Sequence, residues 1–405
     1  MTQPEHVYAP PAVEETDAAP ARHDPFLAAW ALCALVFAWL LLTALALRLG
    51  SSRPTGLLPK PVYEALFTLH GGFAIPFVNS VQLASLAVAA PIHVDERLRR
   101  AMAWATMGLI GVESIARALL LVPALLSRWI IGVSFWLPSC ALGVCMVLAA
   151  PRWRRLGGPP VVVSIAAAIA SVVLPAARGD LSFVLCATAL QTSQPRDQRP
   201  DAAHGSRSSL ASGLVLALCG LLVFRAVTDW GFELSSLLWV FASAWLATIS
   251  WRPASSIADR SARLAARSGL LFVAVTLILR TFQYVASLDY LGDTLLVVAA
   301  DHGMQLALIL LLLALAMRER RSAPPHGAGF HWVRVGIACF AFGALGFVWC
   351  IAILGTRGMP RRYMAYLPEF TGLQQWASAW ALVLAAGVVL TGVGFAKQRI
   401  LSARN

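Results

Sequence analysis

Apolar runs of 18 or more residues recur along this chain from Pro25 to its C-terminal end. Each is long enough to cross a bilayer as an α-helix. A soluble helical domain would need polar faces at the helical period, and most of these runs have none. The chain is 59% hydrophobic and only 13% charged, so the reading is an all-α polytopic membrane protein. The net charge of +12 would point to nucleic acid in a soluble protein. In a membrane protein it fits arginines that anchor cytoplasmic loops, with no nucleic-acid partner.

The seven cysteines (Cys33, Cys140, Cys145, Cys186, Cys219, Cys339 and Cys350) all lie in apolar runs and form no CxxC pair. They read as small core residues rather than disulfides or thiolate metal ligands. Residues 1–25 are polar, acidic and rich in Pro and Ala, without the pattern of a cleaved signal, and are expected to form a disordered cytoplasmic tail. The membrane domain is expected over 26–398, with 399–405 as a cytoplasmic C-terminal tail.

Clear spans cover roughly 26–48, 64–90, 101–125, 129–150, 210–228, 234–251, 267–287, 294–317, 332–354 and 373–396. The region 159–191 is open to one crossing or two, because Arg-Gly-Asp separates a good run, Pro160–Ala177, from a short one, Leu181–Gln191. Arginine placement favours two crossings and twelve spans. With a cytoplasmic N-terminus, that count puts Arg97, Arg99, Arg100, Arg152, Arg154 and Arg155 inside. Arg252, Arg260, Arg263, Arg267, Arg318, Arg320, Arg321 and Arg334 fall on the same side. An eleven-span count would place both arginine groups after residue 250 outside, against the positive-inside bias. Arg357, Arg361 and Arg362 are then external, where arginine is disfavoured unless something holds it.

Of eight histidines, only His70 and His302 lie inside spans. His70 is eight residues past Val62 and His302 nine past Asp293, which sets both ~12–14 Å along their helices at 1.5 Å per residue. Each could hydrogen-bond a neighbouring helix. Two imidazoles at one depth can instead clamp a planar iron macrocycle, and Gly71 and Gly72 leave room beside His70 for a flat ring. The matched depth favours ligation. Without cysteine or carboxylate support, two nitrogens make a poor zinc site.

Three stretches carry a resemblance: ALALRLG followed by YEALFTLHGGFAIPF, then GDTLLVVAADHG, then GALGFVWCIAILGTRGMPRRYMAYLPEFTG. In this order and spacing the chain resembles subunit I of the haem–copper oxidases, a bundle of twelve transmembrane helices. The resemblance implies that His70 and His302 are the two axial ligands of one low-spin haem, b- or a-type. It implies that Arg361 and Arg362 hold the haem propionates and that Arg48 contacts the haem edge. Guanidinium forks suit carboxylates at a membrane edge better than ammonium groups do.

The departures matter as much. Ala300 stands where the family has its high-spin haem ligand, and Asp301 where it has Phe. No histidine occurs in Pro160–Gln191 or Leu210–Trp230, where the family's copper ligands would fall. Neither alanine nor an absent imidazole binds iron or copper, so no copper and no oxygen-reductase activity are expected. Glu113 and Arg117, four residues apart, are expected to pair. Asp301 reads as the counter-ion of Arg225 or Arg280, or as a partner that tunes the haem.

The resulting expectation is a degenerate, single-haem electron-transfer subunit of a respiratory chain, multi-pass in a bacterial inner membrane with both termini cytoplasmic. Its partners would be membrane lipid, a periplasmic donor such as a cytochrome c or cupredoxin, and other oxidase-like membrane subunits. Two other readings stay open: a haem-based sensor or haem-handling protein of the nitric-oxide-response type, and a non-redox scaffold of an oxidase complex.

Overall fold

The computed structural model describes residues 41–50, 57–67, 70, 183, 186–187, 190, 232–285, 294–319, 328–360 and 366–402. The spans expected before residue 231, apart from these short pieces, lie outside the described residues, as do the N-terminal tail, residues 403–405, Glu113, Arg117, Arg225, Arg361 and Arg362, whereas 399–402 of the expected C-terminal tail continue the last helix.

Within the described residues the protein is helical. The elements are α1 (Leu41–Gly50), α2 (60–67), α3 (Phe232–Ser255), α4 (Arg260–Val285), α5 (Leu295–Glu319), α6 (Ala328–Thr356) and α7 (Thr371–Ser402). A single 3-10 turn, Pro368–Phe370, leads into α7. Four stretches are long and apolar enough to cross a membrane: Arg260–Phe282, Leu295–Arg318, His331–Thr356 and Pro368–Gln398. These correspond to the four expected spans from 267 onward, and they make this a multi-pass membrane protein.

In hydrocarbon the open amides at a helix start need partners from the protein itself. α4 is capped by Asp259, whose Oδ1 accepts the amides of Ser261 at 2.6 Å and Ala262 at 2.9 Å. α5 is capped by the buried Thr294, whose Oγ1 accepts the Leu296 amide at 3.3 Å. The Leu295 amide is taken by a different segment, donating to the carbonyl of Met359 at 3.0 Å.

That carbonyl belongs to the turn ending α6. Gly358 adopts φ 81°, its amide reaches the Gly355 carbonyl at 3.0 Å, and the Met359 amide reaches Leu354 at 2.9 Å. This pair of bonds closing a left-handed glycine is the Schellman way of stopping a helix. Met359 and Leu354, the two residues such a turn brings into apolar contact, are both buried. Pro360 then bridges to Thr294. The Gly-Met-Pro of the GMPRRY stretch thus fastens the end of α6 to the beginning of α5.

Neighbouring helices pack side by side: α3 on α4, α4 on α5, α5 on α6, and α6 on α7. Small residues set the spacing, as expected where helices have no hydrophobic effect to drive them together. On the α4–α5 seam, Ala262, Ala265, Ala266, Ala307 and Ala314 are fully buried. Across α6–α7, a side chain on Gly387 would run into the backbone of Phe340, and one on Gly343 into that of Leu384.

Phe183, Cys186, Ala187 and Leu190 are helical and fully buried in the same core. Their spacing marks one face of a helix, so part of the ambiguous Leu181–Gln191 run is helical with its face against the bundle. Among the described cysteines, Cys186 and Cys350 are buried free thiols and Cys339 is half-buried, as core residues would be.

Candidate functional site

His302 lies on α5, seven residues past its first residue, and His70 is helical three residues beyond the end of α2. The two half-buried rings meet, with centres 6.3 Å apart and planes inclined by 22°. The rings are nearly parallel, at a separation in the upper part of the range of paired aromatic rings.

Each ring is oriented through its Nδ1. For His302, Nδ1 is 2.9 Å from the Val298 carbonyl one turn earlier. A carbonyl only accepts, so Nδ1 carries the proton and the lone pair sits on Nε2. For His70, Nδ1 lies 3.2 Å from Oγ1 of the buried Thr43 on α1. A ring fixed through one nitrogen presents the other in a set direction, as metal-ligating histidines are usually held.

Arg48 completes the cluster from the end of α1. Its guanidinium carbon lies 5.7 Å from the centre of the Phe347 ring, and Phe347 in turn lies 6.2 Å from His302 at a tilt of 54°. Nη1 of Arg48 donates to Oε1 of the buried Gln374 on α7. The Nε2 of Gln374 points to the Met359 sulfur at 3.2 Å, and the Ser378 hydroxyl donates to the Arg48 carbonyl at 3.4 Å. Among the described residues no carboxylate pairs with Arg48. Among the described residues its guanidinium meets an amide oxygen and a ring face. In the loop before α7, burial pushes the Tyr366 phenol up, while the Arg48 guanidinium acts in the opposite sense.

The structure therefore brings His70, His302 and Arg48 together at one end of the bundle. Arg361 and Arg362 lie outside the described residues, although Pro360, immediately before them, is placed at the start of α5. Ala300 is buried and offers only a methyl group. Asp301 pairs with Arg280 of α4 at 3.7 Å, with Arg280 largely buried and Asp301 more exposed. Of the two arginines open to it from sequence, Arg280 is the one observed. Sequence reasoning missed Thr43, Phe347, Gln374 and Met359; only Gln374, a polar residue within an apolar run, carried a signal.

No protein-family model matches the chain, and no curated protein sequence matches it. The functional reading therefore rests on the residues and their geometry.

Proposed function

We propose that this protein is a membrane electron-transfer subunit that holds one low-spin haem between His70 and His302. The fold in this reading is a twelve-helix bundle of the oxidase subunit I type. The observation that carries it is the separation of the two imidazoles. Two iron–nitrogen bonds of about 2 Å each, plus about 1 Å from each nitrogen to its ring centre, add up to about 6 Å. The rings stand 6.3 Å apart. That separation matches the one two imidazoles would keep on a shared iron.

The surroundings support the same group. Arg48 places beside the pair a guanidinium that no carboxylate among the described residues meets, as an acidic macrocycle edge would require. Arg361 and Arg362 follow the turn that meets α5 and are the residues proposed for the propionates. When bound, haem supplies one-electron exchange. The chain's own residues fix the ring tautomer through Val298, orient His70 through Thr43, and hold Arg48 through Gln374. An iron held by both imidazoles would have no position open for a gas ligand, and Ala300 offers no side-chain ligand for a second haem. The proposed role is thus electron transfer rather than oxygen chemistry, with neither copper nor oxygen-reductase activity. A periplasmic cytochrome c or cupredoxin, or an oxidase-like membrane subunit, is the proposed redox partner.

Charge supports the orientation. The α3–α4 turn, the end of α5, the start of α6 and the end of α7 carry Arg252, Arg260, Arg263, Arg267, Arg318, Arg334 and Lys397. Among the described residues the histidine end carries Arg48, Lys60, Arg280 and Arg357. By the positive-inside rule the arginine end is cytoplasmic and the histidines lie toward the outside of an inner membrane.

The deciding measurement is a reduced-minus-oxidised spectrum of the purified protein with pyridine-haemochrome quantification. One haem per chain and a low-spin spectrum unmoved by carbon monoxide are expected. Purified, folded protein that takes up no haem would refute the proposal.

A further inference from the structure

At the end of the bundle away from the histidines, the chain turns from α3 into α4 among arginines. α3 has Arg252 in its last turn, and α4 opens on Arg260 with Arg263 and Arg267 following and no acid in its first turn. The amino end of a helix is already positive, so cations there oppose the helix dipole. The nearby acid, Asp259, caps α4 through its Oδ1 and offsets one of these charges at most. Among the described residues no carboxylate pairs with Arg260, Arg263 or Arg267.

Two of these guanidiniums are held in place. Nε of Arg267 donates to the Ser255 hydroxyl at 3.1 Å, and its guanidinium carbon lies 5.8 Å from the centre of the Trp251 ring. Nη2 of Arg263 donates to the Ala258 carbonyl at 3.2 Å. A partly exposed tryptophan beside an arginine is typical of the headgroup level of a membrane.

The face of α4 continues the pattern. At 100° per residue, Arg260, Arg267, Leu271, Ile278 and Phe282 fall on one stripe. All five are exposed, Leu271 at 51%, Ile278 at 68% and Phe282 at 51%. One exposed stripe is thus cationic at its first turns and apolar beyond. That order complements an amphiphile with an anionic head and long hydrocarbon chains.

We propose that the α3–α4 corner is a binding surface for an anionic phospholipid. Its phosphate lies among Arg260, Arg263 and Arg267, and its acyl chains lie along Leu271 and Ile278. Guanidinium forks match phosphate oxygens in pairs. A zwitterionic head would bring its own ammonium against the same arginines. This inference does not depend on haem.

The test is native mass spectrometry of the purified full chain titrated with dioleoyl phosphatidylglycerol or dioleoyl phosphatidylcholine. The first phosphatidylglycerol should bind about fivefold more tightly than the first phosphatidylcholine, the effect of one basic residue near an anionic headgroup. Arg260→Gln/Arg267→Gln should bring the two lipids level, while Arg357→Gln at the opposite end should leave the preference intact. Equal affinities in the wild type, or a preference that survives the double substitution, overturns the proposal. So does displacement of the phosphatidylglycerol by inorganic phosphate, which would mark a site for the anion alone. Should the double variant fail to fold, the wild type still decides. Raising ionic strength from ~0.01 M to ~1 M shortens screening from ~30 Å to ~3 Å and must erase the preference. A preference indifferent to salt refutes the surface.

Discussion

The carbonyl of Met359 accepts the amide of Leu295 at 3.0 Å, so the turn that ends α6 is tied to the first residue of the helix carrying His302. The same methionine meets Gln374, which grips Arg48. One short turn therefore positions both the proposed iron ligand and the arginine beside it.

Gly358→Ala is expected to loosen that turn. Its φ of 81° is one that residues with a Cβ adopt at a cost of roughly 1–2 kcal/mol. Space is not the problem, since nothing lies near the position a Cβ would take. Stability in detergent, read from thermal or denaturant unfolding, should fall by about that amount. Gly358→Asn should fall less, because asparagine tolerates this conformation better. Equal stability of all three proteins would show that the turn does not limit the fold.

His70→Ala and His302→Ala should each abolish haem retention, because each removes one of two axial nitrogens and opens the site to exchange. The haem-to-protein ratio after purification measures this. Stoichiometric haem with an unchanged low-spin spectrum in both variants would dismiss the ligand assignment.

Arg48→Gln should leave haem bound but lower its midpoint potential. A nearby positive charge disfavours the oxidised iron, so removing it stabilises oxidation. An interaction of ~1–2 kcal/mol at an effective dielectric near 20 corresponds to a fall of about 40–90 mV for one electron. A redox titration that overlays the wild type would place Arg48 away from the haem.

Gly387→Val should damage the α6–α7 pair more than any change on the open face of α7. The added side chain meets the backbone of Phe340, which cannot rotate away as a flexible side chain would. A loss of about 1–3 kcal/mol is expected from such overpacking. By contrast Val389→Ala, at an exposed position two residues on, should change unfolding little. The reverse order would mean that the crossing is not where α7 is held.

What could be read from the sequence follows from where the physics is local. Hydropathy gives the described spans because a membrane helix satisfies its own backbone. Matching the depths of His70 and His302 anticipates their meeting, since helix rise is constant and both spans start from one face. Asp301 was legible as half of an ion pair, because a charge in a span needs a counter-charge. Thr43 and Phe347 were not legible, as their roles depend on which helices neighbour one another; Gln374 stood out only as a polar residue in an apolar run. Gly-Met-Pro also has a structural role that the sequence did not announce. Its glycine stops α6, its methionine carbonyl caps α5, and its proline meets Thr294.

The bond from Arg48 to Gln374 spans 326 residues of chain, and this has a bearing on biosynthesis. A helix inserted early must keep a guanidinium in the membrane until one of the last helices arrives to receive it. During translation that arginine can rest at the headgroup layer, near the end of its helix, and be drawn inward only when α7 packs on α6. The histidine pair can come together before then, but its flank stays open to lipid and water. A ribosome stalled before residue 374 would therefore release a membrane protein with both imidazoles and no finished pocket.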